Sequence, residues 1–146
     1  MDRVHETVAI VGRIDPDAYT AAAYLTEAID CQDFDQLLFI VMAGTLGSSA
    51  TADFVVKAST TSGGSYASIT GTAITQLTEA GTDSDKIVLV SLDVSHVLAA
   101  GKRYVKGELT IGTATSDAGV IVLGYRPHYA PAQAFDISAV DEIVVK

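Results

Sequence analysis

The residue types of a hydrolytic triad occur together as Asp93, Ser95 and His96, with Asp117 and His128 farther along the chain. A nucleophilic serine needs its hydroxyl within reach of an imidazole that a carboxylate orients, and adjacency in sequence does not supply that geometry. The chain has no Gly-x-Ser-x-Gly elbow to lift a serine onto a strained strand-to-helix bend. These residues are therefore expected in a surface turn, and no catalytic residue is assigned. Asp30, Asp33 and Asp35, and separately Asp83 and Asp85, could gather carboxylate oxygens about calcium, but neither group has the calcium-loop glycine and terminal bidentate glutamate. His5, His96 and His128 stand far apart, and the single cysteine, Cys31, lies at no zinc-ligand spacing, so it reads as a small buried apolar residue. The Met42-Ala43-Gly44-Thr45-Leu46-Gly47-Ser48-Ser49 stretch follows a strand-like run as a phosphate loop would. It lacks the Lys-Ser/Thr pair, however, and returns through Ala52-Asp53-Phe54 to a strand instead of opening a helix. Neither a cofactor nor a metal is expected.

The elements that would carry such residues read as strands. The strongest pattern is 103–112, where Val105, Gly107, Leu109 and Ile111 share one face and Tyr104, Lys106, Glu108 and Thr110 the other. Residues 87–94 alternate through Val88, Val90, Leu92 and Val94, while the other parity opens apolar at Ile87 and Leu89 and turns polar at Ser91 and Asp93. Residues 54–60 form a shorter run and 75–78 a brief one. Residues 37–43 and 120–125 are apolar on both parities, the mark of strands covered on both faces or of a face covered by another subunit. Turn chemistry at 62–65, 81–85 and 115–119 joins these runs. The 15–29 stretch is ambiguous. Asp15 could cap a helix, Pro16 could occupy its first turn and Ala21-Ala22-Ala23 favour it, yet 24–30 alternates and leads directly into 37–43, so a strand is preferred there. Repeated β-runs without a sustained helical period predict an all-β, antiparallel, jelly-roll-like sandwich. Its expected divisions are an N-terminal arm at 1–19, the sandwich at 20–131 and an extended tail at 132–146.

With 146 residues, 49% of them hydrophobic and 18% charged, the chain is large and apolar enough for one core. Nine Lys and Arg against eighteen Asp and Glu give a net charge of −9, which removes the usual attraction to nucleic-acid phosphates and anionic lipids. Neither nucleic acid nor membrane is an expected partner. A start rich in acids, with no long apolar run, predicts synthesis in the cytoplasm without a signal peptide. Asp2, Glu6, Asp15, Asp17, Glu27, Asp30, Asp33 and Asp35 crowd the first 36 residues against Arg3 and Arg13, while Lys102, Arg103 and Lys106 share one hairpin. This asymmetry admits head-to-tail contacts, although scattered solubilising charge is the preferred reading.

At 33–44 (Asp33-Phe34-Asp35-Gln36-Leu37-Leu38-Phe39-Ile40-Val41-Met42-Ala43-Gly44), and again at 71–78, 102–105 and 109–114, the sequence resembles small head proteins of tailed bacteriophages, the capsid decoration or cement proteins. The resemblance runs over most of 20–131. It implies a β-sandwich that sits as a dimer or trimer on the capsid exterior, bound to the major capsid protein, with no catalytic role. It transfers no individual contact residue. The tail, with Phe135, Ile137, Val140, Ile143 and Val144, has no obvious strand partner, and it is expected with the proline-tyrosine segment, Tyr125, Pro127, Tyr129 and Pro131, at subunit or capsid contacts, 132–146 being dispensable for folding. The alternatives are a tail or head-completion component, or a carbohydrate- or receptor-binding β module. The absence of tryptophan disfavours the last of these.

Overall fold

The computed structural model describes residues 3–129 and 131–146. Of the acids noted above, Asp2 lies outside them. The chain runs through α1 (Val4–Thr7), β1 (Val8–Tyr19), β2 (Ala22–Leu25), β3 (Ile29–Asp30), a 3-10 turn (Cys31–Asp33) and β4 (Phe34–Ala43). There follow β5 (Thr51–Ser59), β6 (Ala67–Ser68), β7 (Leu77–Thr78), β8 (Ile87–Asp93), α2 (Val94–Ala99), β9 (Tyr104–Gly112), β10 (Ser116–Pro127) and a second 3-10 turn (Ala132–Phe135). One sheet has the order β1-β10-β4-β8; the other runs β2-β9-β5-β6, with β3 also on β9 and β7 also on β5. All pairings are antiparallel, and the chain passes back and forth between the sheets, as a jelly roll requires.

Alternation decides which side chains enter the space between the sheets. In β9, Val105, Gly107, Leu109 and Ile111 are buried, as their spacing predicts, and they meet Phe54 and Val56 of β5. From the other sheet come Phe34, Leu37, Phe39 and Val41 of β4 and Val120 and Val122 of β10. The Phe39 and Phe54 rings bridge the layers with centroids 5.7 Å apart. Each such side chain stabilises the fold by roughly 1.5–3 kcal/mol through burial.

Several expectations need correction. Residues 8–19 form no arm: β1 pairs along β10 from Val8↔Tyr125 to Tyr19↔Ser116. The pairing shifts between Ile10 and Gly12 and again between Ile14 and Asp17, and Pro16 falls in the second shift on an edge strand, where a missing N–H costs no ladder bond. The helix-favouring alanines at 22 and 23 are in β2, because pairing with Ile111 and Thr110 outweighs their propensity. The strand preferred at 24–30 is two pieces interrupted at Thr26, whose buried hydroxyl accepts from the Gly107 N–H (2.9 Å). Val94 opens α2 instead of ending β8, with Asp93 as its cap. Residues 116–119 belong to β10, leaving a shorter turn than 115–119, and only Leu77–Thr78 of 75–78 is strand.

Candidate functional site

The triad residue types do not converge. The Asp93 carboxylate accepts from the Ser95 N–H at 2.9 Å and so caps α2; this hydrogen bonding to Ser95 holds the carboxyl below its ordinary value. Ser95 and His96 are exposed, and among the described residues neither side chain is hydrogen-bonded to Asp117 or His128. Asp117 and His128 lie near opposite ends of β10, roughly 35 Å apart along an extended strand.

Two of the three clustered acids are engaged by basic side chains of this same chain. Asp30 takes Arg103 in a two-pronged pair (Nη2 to Oδ2 2.7 Å, Nε to Oδ1 3.0 Å), and the guanidinium holds its carboxyl below the usual value. Asp35 accepts from His128 Nε2 at 2.9 Å, which raises the imidazole above its ordinary value. Asp33 is pushed up by desolvation and by the neighbouring Asp30. Burial pushes the Cys31 thiol up to about 12. Among the described residues no group of three or more His, Cys, Asp or Glu side chains is placed to hold a metal ion, and no helix is long and apolar enough to cross a membrane. In the 42–49 loop the Gly44 N–H donates to Asp117 O and the Gly47 N–H to Ser116 Oγ, so these amides are spent on β10 and not on a phosphate site.

The terminal segment separates into a docked and an exposed part. Tyr125 and Pro127 close β10, paired with Gln36 and Phe34 of β4. Between them Arg126 sits at φ +53°, a left-handed conformation costing about 1–2 kcal/mol for a non-glycine residue, with its guanidinium 5.6 Å from the Tyr125 ring centre. Tyr129 is 70% exposed, and Pro131 precedes the second 3-10 turn. Phe135 packs edge-on against Phe34 (5.3 Å), Asp136 Oδ1 accepts from the Ile10 N–H (2.7 Å), and the Ile137 N–H donates to Ile10 O (2.9 Å). The Val140 N–H closes a turn on Ile137 O. Beyond it Ile143, Val144 and Val145 are exposed, Val144 to 82%. Phe135 and Ile137 are thus engaged within the chain, whereas Tyr125, Tyr129, Ile143 and Val144 stand free to meet a partner.

A second surface was only half visible in the sequence. On the outer face of the β1-β10-β4-β8 sheet the pairing aligns Ile121, Ile40 and Leu89 in one row and Met42 and Ile87 in the next, with Leu123 beside Leu38 in a third. The two-parity apolar runs of β4 and β10 pointed to it. Ile87 and Leu89, both 60% exposed, extend it across β8 to the open edge of the sheet. A groove of about 760 Å³ takes in Met42, Ile87 and Ile121 of this face together with Asp17, Asp85 and Asp117.

No family model matches the chain, and no curated protein does. Among solved structures it is similar to the infectious bursal disease virus Gt strain structure, at TM-score 0.43 and 12% identity over 86% of this chain and 33% of that one. An empty virus-like particle of cowpea mosaic virus gives 0.38 and 11% over 76% and 56%. A family 11 carbohydrate-binding module of Clostridium thermocellum gives 0.35 and 11% over 83% and 81%. This chain spans about a third of the length of the first of these. The jelly-roll assignment rests on the strand order and register above.

Proposed function

We propose that this protein is a structural virion component that binds the outer surface of a tailed-phage capsid, with the major capsid protein as its partner, and reinforces the shell without catalysing a reaction. The sequence resemblance at 33–44, 71–78, 102–105 and 109–114 supplies the setting. The observation that carries the reading is the terminal end of the sandwich, where Tyr125, Tyr129, Ile143 and Val144 are exposed beside a segment that is itself firmly docked. Anchors of this kind contribute only when a second surface covers them, and repetition over a lattice multiplies a modest contact into avidity. The expected location is the capsid exterior, after synthesis in the host cytoplasm.

Quantitative mass spectrometry of purified virions tests this against the major capsid protein. A stoichiometry of one per capsid subunit, or a simple fraction of it, is expected. A handful of copies per particle would replace shell binding by a tail or head-completion role, and absence from the virion would overturn the structural reading. Glycan-dependent adsorption of the free protein to host cells would favour a carbohydrate-binding module instead.

A further inference from the structure

We infer that the outer face of the β1-β10-β4-β8 sheet is a homomeric interface, on which a second copy of this chain stacks its own identical face about a two-fold axis. This deepens the shell-binding proposal by naming the contact between copies, and it is measured on the free protein, so its failure and the failure of shell binding are told apart.

Area supports a second copy as occupant. Four strands about 4.8 Å apart and about ten residues long present roughly 650 Å² of flat surface. Stacked over their whole footprints, two copies would bury roughly 1,300 Å², at the lower end of the about 1,200–2,000 Å² of stable interfaces. Charge supports the same choice. Two molecules of net charge −9 repel one another unless they meet where carboxylates are not opposed. The rows through Ile121, Ile40, Leu89, Met42 and Ile87 contain no acid; Arg13, which ends the central row, is paired with Asp15 at 2.7 Å, and Asp17, Asp85, Asp93 and Asp117 lie at the rim. A cationic partner would gain more from the acidic surface elsewhere, whereas an apolar sheet face whose one ion pair, Arg13–Asp15, is closed within the chain is best met by another of the same kind. Face-to-face sheet packing about 10 Å apart is the arrangement that forms the core of this same sandwich.

Sedimentation equilibrium of the intact chain at roughly 10–100 µM is the test. The wild type is expected at twice the 15.2 kDa chain mass. Leu89→Lys and Ile121→Lys, at exposed positions, should each weaken self-association by at least about a hundredfold with unchanged circular dichroism, because a two-fold axis buries each substitution twice. Leu25→Lys, exposed on the other sheet, should leave it intact. A monomeric wild type overturns the inference, as does a dimer lost in Leu25→Lys but not in Leu89→Lys. It is equally overturned if the wild type is monomeric and hydrogen exchange shows the face protected only while residues 138–146 are present, since the chain's own tail would then be the cover. A monomer whose capsid binding is lost in Leu89→Lys would give the face to the shell.

Discussion

Gly107 and Gly124 lie inside strands where glycine usually weakens pairing, and each makes room for a ring. A Cβ at Gly107 would stand 2.5 Å from Phe54 Cζ and 3.2 Å from Phe39 Cδ1, and one at Gly124 2.7 Å from Phe34 Cε1. Gly107→Ala therefore forces a fully buried phenylalanine from its place and should cost about 1–3 kcal/mol in urea unfolding. Gly63→Ala, with nothing within 4 Å, should change stability by less than about 0.5 kcal/mol. Equal midpoints for the two variants would show that the ring contacts do not fix Gly107. The sequence marks Gly107 as an inward position but is silent about the ring above it, because a strand's alternation sets the face of a residue and not its opposite number. The same limit applies to charge. Asp30 and Arg103 are 73 positions apart, His128 and Asp35 93, so acids and bases that look segregated in the linear chain prove to be partners.

The terminal segment is one stretch by composition and two by packing. Deleting 141–146 removes only exposed residues and should leave the melting temperature unchanged. Deleting 132–146 also removes the buried Ala132, the Phe135 ring on Phe34 and the Asp136 bond to Ile10, and should cost roughly 2–4 kcal/mol. Indistinguishable melts for the two truncations would mean that the docked part contributes nothing to stability. The long two-parity strands were readable because their apolar runs are unmistakable. β1 was not, since its two register shifts and Pro16 break the alternation that would have announced it. β6, two residues long, and α2, six residues long, are too short to display any period, whereas β7 falls inside the brief run expected at 75–78. The sandwich class followed from repeated β-runs without a helical period, while strand order needed the contacts themselves.

Folding makes the molecule more uniformly acidic than its sequence suggests. Arg103 is committed to Asp30, Lys57 to Glu108 at 2.8 Å, and Lys106 lies 4.8 Å over the Tyr66 ring, so much of the scarce positive charge is engaged within the chain. What faces outward is a surface on which exposed carboxylates outnumber exposed cations, interrupted by the sheet face and by the apolar tail at Ile143, Val144 and Val145. Approach to a basic patch on a shell would be driven by that field, whose reach shrinks from about 30 Å at 0.01 M salt to about 3 Å at 1 M. Shell occupancy at fixed protein concentration should therefore fall steadily as salt is raised. Dissociation of copies from one another should respond little, because the inferred contact between them carries no opposed charge. Occupancy measured by pelleting capsids with added protein across a salt series reads the first, and sedimentation of the free protein over the same series reads the second. Salt-independent occupancy that is nevertheless lost in an Ile143→Ser, Val144→Ser double variant would show that the tail's apolar burial, and not the acidic field, holds this protein to its shell.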